Sequence, residues 1–140
     1  MTTQREILEA LKDRLDAGGY GRVHLGKHVD PDQEVLPVVT IHHHNDGDQT
    51  ESSRPVEVRK VKLLVELVYE TSASELLLEG VDKLDELEEV VIDIPARDQN
   101  DTLGGIARNV EQSKSQVINH EQKSTIGFAQ LVVEVTYRKG

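Results

Sequence analysis

Two long runs of alternating side chains, 58–70 (VRKVKLLVELVYE) and 128–138 (FAQLVVEVTYR), constrain the fold of this chain more than any other feature. In the first, Val61, Leu63, Val65, Leu67 and Tyr69 point one way and Lys60, Lys62, Glu66 and Glu70 the other. In the second, Leu131, Val133, Val135 and Tyr137 oppose Gln130, Glu134, Thr136 and Arg138. Successive side chains on a strand point to opposite faces, so each run has one dry face and one wet face. Such strands framing an acidic helix predict a sheet covered on one side, with the other surface free for a partner. The expected class is α+β, a mostly antiparallel sheet with two main helices packed against it.

At 140 residues the chain reads as a single domain, 1–140. A domain of that size buries roughly 70% of its unfolded surface. Aromatic residues make up only 3% of it, so Leu, Val and Ile must build the core, and a large ligand pocket has few aromatic walls to draw on. Sixteen basic against 26 acidic residues leave a net charge of −10. Contact with phosphates needs a positive face, so the balance speaks against nucleic acid as a direct ligand. With no cysteine, disulfides and thiolate metal sites are excluded. The first residues, MTTQREILEALKDRL, are charged throughout and lack the apolar core of a signal peptide. No segment approaches the roughly 20 apolar residues that cross a bilayer. A soluble protein made in the cytoplasm, with no membrane partner, is the expectation.

Thr3 and Glu6 have the spacing of a capping box, and Ile7, Leu8, Leu11 and Leu15 follow at helical spacing until Gly18-Gly19. The opposite face carries Arg5, Glu9, Lys12, Asp13 and Asp16, as expected of a helix packed on a sheet. Residues 20–34 read as an irregular connection. A short strand over 35–42 follows, with Pro37 restricting it to an edge or to its first residues. The polar stretch 45–55 reads as a long hairpin loop, either a contact segment or a tolerated insertion. Ser72 and Glu75 form a second capping box ahead of a helix whose stripe comprises Leu76, Leu77, Gly80, Val81, Leu84 and Leu87. Its outer face carries Glu79, Asp82, Asp85, Glu86 and Glu89, offset by Lys83. A short strand over 90–94 ends at Pro95, a turn with one helical turn spans 101–106, and an exposed strand over 110–124 hairpins into the last one.

Candidate chemistry is sparse. His42, His43 and His44 form the one conspicuous polar cluster, and on a strand His42 and His44 share a face able to offer imidazoles to zinc or nickel. A structural zinc site needs four ligands, and His24, His28, His120, Asp46 and Asp48 are not at diagnostic spacings. There is no Gly-x-Ser-x-Gly elbow, and no Lys-Ser or Lys-Thr follows Gly104-Gly105 to complete a phosphate loop. The expectation is no enzyme, no cofactor and no committed metal site.

The order of elements resembles the tail terminator proteins of long-tailed bacteriophages, the group that includes the minor tail protein U. The resemblance rests on the first helix and the Gly/Pro stretch after it, the LPVVTI strand from Leu36 to Ile41, and the long strand ending Val68-Tyr69. It continues through the Leu76–Leu87 helix, the DTLGGIA turn from Asp101 to Ala107, and the closing Val135-Thr136-Tyr137-Arg138. It covers almost the whole chain as a match of pattern and order. It implies an α+β subunit of a hexameric ring that sits on the tail tube, halts tube polymerisation and presents a surface to the head–tail connector. The implied partners are other copies of the chain, the tube protein and the connector protein, in the host cytoplasm during assembly and then in the virion tail. Arg54, Arg59, Lys60 and Lys62, the densest basic group, are candidate contacts with an acidic neighbour; ordinary surface charge accounts for them equally well. Reversing Lys60 and Lys62 to Glu is then expected to abolish assembly. The acidic helix face is expected on an exposed surface of the ring. The competing readings are a head–tail completion protein of the neck, a small metal-binding protein using the three histidines, and an enzyme on an α+β scaffold, which nothing in the sequence favours.

Overall fold

A computed structural model describes residues 2–26, 35–50, 57–71, 76–92, 101–119 and 125–139. The first helix, α1, spans Gln4–Ala17. The Thr3 hydroxyl accepts from the Glu6 amide at 3.2 Å, which is one half of the expected capping box, while the Glu6 carboxylate meets the Thr3 hydroxyl at 3.4 Å. At the other end the Tyr20 amide reaches back to the Leu15 carbonyl (3.0 Å) and the Gly19 amide to Asp16 (3.2 Å). This is a Schellman closure, and it requires the positive φ of +99° that Gly19 supplies. Ile7, Leu11 and Leu15 are fully buried and Leu8 packs beside them.

Strand β1 is Val23–Leu25, β2 Val38–Thr50, β3 Glu57–Glu70, β4 Asn109–Asn119 and β5 Ile126–Lys139; helix α2 is Leu76–Val91. They form one sheet in the order β1-β2-β3-β5-β4. The fold is therefore α+β, with two helices and a mostly antiparallel five-stranded sheet. The two alternating runs are its centre, paired without a break from Glu57 opposite Lys139 to Glu70 opposite Ile126. Both helices lie over one face. Val61, Leu63, Val65 and Leu67 of β3 and Leu131, Val133, Val135 and Tyr137 of β5 meet them in the main core.

Four local expectations are corrected. The stretch 20–34, expected to be irregular, contains β1, which pairs parallel with β2 from Val23 opposite Val39 to Leu25 opposite Ile41. Three residues are too few to show a period in sequence. Strand β2 begins directly after Pro37, as the proline allows, but continues to Thr50, through the first half of the expected loop. The extra length is absorbed between His43 and Asp48, where the register jumps from Leu63 to Val61 on β3, an enlarged bulge. Positions 51–55 of that loop lie outside the described residues.

Where a strand is expected over 90–94, Val90 and Val91 are instead the end of α2, and positions 93 and 94 lie outside the described residues. Val91 is fully buried, and Val90 lies where a Cβ on Gly18 would stand 2.5 Å from its Cγ1; this packing overrides a β-branched pair's local preference. The fourth correction concerns the stripe of α2. Gly80, Leu87 and Val91 are buried and Leu84 packs against the core, whereas Leu77 and Val81, assigned to that stripe, are exposed. Ser72 and Glu75 lie outside the described residues. The turn expected at 101–106 is a single 3₁₀ turn, Leu103–Gly105. The strand expected over 110–124 is β4, exposed and antiparallel to β5, and its described part ends at Asn119.

Candidate functional site

The sheet face away from the helices is the candidate interaction surface, and it is divided into zones. At one end Val38, Val68 and Ile126 are buried, with Leu36 and Phe128 packed on them as a second small core. The face expected to be wet is thus apolar there. In the middle a polar ladder crosses three strands: the Gln116 side-chain amide donates to Gln130 Oε1 at 2.6 Å, and Gln130 Nε2 donates to Glu66. Beside it a depression of about 140 Å³ is bordered by His44, Leu64, Lys114, Gln116 and Gln130. Its imidazole, ammonium and amides suit it to holding water or the tip of a polar side chain. Toward the other end Lys60 Nζ pairs with Glu134 across to β5, at 3.3 Å.

Of the basic residues proposed as a contact group, the three that are described do not share one face. Lys60 and Lys62 lie on this outer face, whereas Arg59 shares the helix-bearing face with Val61, being one position out of phase with Lys60. Arg54 is outside the described residues. Of the acidic residues on α2, Asp82, Asp85, Glu86 and Glu89 are exposed. Glu79 is half-buried and accepts from the Thr71 hydroxyl. Burial raises the Tyr69 hydroxyl pKa above its usual value, and the Glu79 charge raises it further. Burial acts likewise on Tyr20, reinforced by Glu86. Tyr20 and Glu86 border a groove with Pro37 and Glu89, between the ends of the two helices.

The three histidines diverge. His42 and His44 line hollows on the outer face with Leu64 and Gln130. His43 is opposite Leu63 on the helix-bearing face, its Nε2 2.7 Å from Gln4 Oε1 on α1. Among the described residues no group of three His, Asp or Glu side chains converges on a point that could hold a metal ion.

The most tightly built polar site has no counterpart in the sequence reading. Arg14 on α1 grips Asp101 through two bonds, Nη1 to Oδ2 at 2.7 Å and Nη2 to Oδ1 at 3.1 Å, and donates to the Val91 carbonyl at 2.9 Å. Asp101 Oδ1 also accepts from the Leu103 amide at 3.0 Å, holding a left-handed leucine (φ +51°) at the head of the Gly-Gly turn. The pair locks α1, the end of α2 and the 3₁₀ turn together, a structural role. The only sequence signal for it was a lone arginine in the last turn of α1 and an aspartate ahead of Gly104-Gly105. No family model matches this chain, and no curated protein matches it.

Proposed function

We propose that the chain is a structural, non-catalytic subunit of a bacteriophage or prophage tail, a tail terminator that closes the end of the tail tube as a ring, in the manner of the family its element order resembles. The observation that carries the reading is the arrangement of layers: both helices on one face of the sheet, and an opposite face carrying a polar ladder and a shallow hollow. Such a face suits a surface that another protein reads. The exposed Asp82, Asp85, Glu86 and Glu89 supply a second supporting point. Six copies with a charge of −10 each would make a ring that repels a DNA passing through it. The ring is hexameric, and its partners are the tube protein below and the connector above.

The test is to add the purified chain to polymerising tube subunits and measure tube length by electron microscopy. Tubes arrested at the length reached on addition, with the chain co-sedimenting at one end, are the expected result. Unaltered tube growth together with binding to isolated connectors would replace this reading by that of a neck protein.

A further inference from the structure

Among the described residues, most of the large hydrophobic side chains left exposed gather at the margins of the sheet, Val35 ahead of β2 (63% exposed) being the exception. Leu77 (69% exposed), Leu78 (59%) and Val81 stand on α2 at one margin of the sheet, and Ile118 stands on β4 at the same margin but on the outer face, opposite Phe128. Gly80 packs on Val117, which sets the first turns of α2 over the latter half of β4. Leu77 and Val81 are on the flank of α2 that also carries Glu88, whose carboxylate lies 2.6 Å from the Gln112 amide of β4. At the opposite margin Leu25 is exposed on β1. Both margins are outer strands of the sheet, β4 at one side and β1 at the other.

Among the described residues the two margins are opposite in charge. Helix α2 carries Glu79, Asp82, Asp85, Glu86, Glu88 and Glu89 against the single Lys83. The described segment around β1, from Tyr20 to Gly26, contains Arg22 and no acidic residue, and Arg22 is exposed. They are also matched in direction. Strand β1 runs parallel to β2, and β2, β3, β5 and β4 alternate in sense, so β4 is antiparallel to β1 and β2. When copies are related by a rotation about an axis along the strands, β4 of one copy meets β1 of the next in the antiparallel sense. The bulge between Gln112 and Lys114 interrupts the ladder of β4 and leaves its latter half, Lys114 to Asn119, as a segment paired without a break to β5.

We infer that the chain associates with a second copy of itself head to tail, the α2–β4 margin (Leu77, Val81, Asp85, Ile118) of one copy docking on the β1 margin (Arg22, Leu25) of the next. Two different surfaces of one molecule complement each other, so the contact repeats and closes where the rotation permits. Apolar side chains provide the contact, and the opposed charges fix which margin meets which. This deepens the ring reading by naming its joint, yet it stands on the two margins alone and does not require a tail tube.

Two double variants test it. L77E/V81E disables one margin and R22E/L25E the other, with folding checked by circular dichroism and a cooperative melt. Where wild type forms multimers by light scattering, each variant alone is expected to show the mass of a single chain. An equimolar mixture should form a dimer and nothing larger, because one intact α2–β4 margin and one intact β1 margin remain. A wild type that stays monomeric at every concentration and salt would overturn the inference. So would either variant multimerising alone, or a mixture that fails to pair. If the glutamates unfold the chain, L77N/V81N and R22Q/L25N carry the same test. Tube arrest separates the two proposals: correct pairing without arrest sinks the tail assignment alone, and arrest by both variants sinks this joint alone.

Discussion

At the scale of single residues, side chains that would be missing or too large decide more than those on the surface. A Cβ added at Gly80 would stand 2.3 Å from Val117 Cγ1, and one at Gly127 would stand 2.5 Å from the Tyr69 ring. Both glycines hold the bottom of the core by letting a helix and a strand approach a tyrosine. Gly80→Ala and Gly127→Ala should each cost about 1–3 kcal/mol through overpacking, read as a lower urea midpoint with an unchanged slope. Arg14→Ala should cost more, roughly 3–5 kcal/mol, because it strands the buried Asp101 carboxylate. Titration adds an alkaline limit. The hydroxyls of Tyr20 and Tyr69 have raised pKa values in the fold, so their neutral forms are the favoured ones there. Their stabilising share is complete below the unfolded tyrosine value, about 10, and is lost as pH rises through the folded values. Unfolding midpoints should therefore fall above about pH 10, and Tyr69→Phe should flatten that fall.

At the scale of elements, what could be read in advance was whatever repeats. The cap at Thr3, the Gly18-Gly19 stop and the dry faces of β3 and β5 follow from spacing alone, because each is a local contact or a period of two. Replacing Thr3 by Ala should remove about 1 kcal/mol from α1, measurable by thermal unfolding. The stripe of α2 misled, because Leu77, Gly80, Val81, Leu84 and Leu87 fit a helical period together. Which arc of that wide stripe meets the sheet depends on the α2–β4 approach at Gly80, a tertiary fact. Val90-Val91 read as a strand for the opposite reason: local preference was plain and the packing against Gly18 was invisible. Within the basic group, a period of two sends Arg59 to the face opposite Lys60 and Lys62. The Arg14–Asp101 lock joins residues that are 87 positions apart, a separation no window along the chain can span.

At the scale of the whole molecule, the two margins of the sheet and its outer face make separable predictions. Reversing Lys60 and Lys62 to Glu breaks the pair with Glu134 on the outer face but leaves both margins intact. That variant should still self-associate, as read by light scattering, and any assembly defect should appear only when a tube or connector is supplied. Loss of self-association in it would return the joint between copies to the outer face. The central pairing of β3 with β5 carries a consequence of another kind. Its halves are separated in the chain by α2 and β4, so β3 must wait for residues 126–139 to be synthesised before its inner edge is satisfied. During that interval the nascent chain exposes the alternating leucines and valines of β3 to anything able to add a strand. A chain stopped before Ile126 should accordingly be captured by chaperones or precipitate, while the chain carried through Lys139 escapes both.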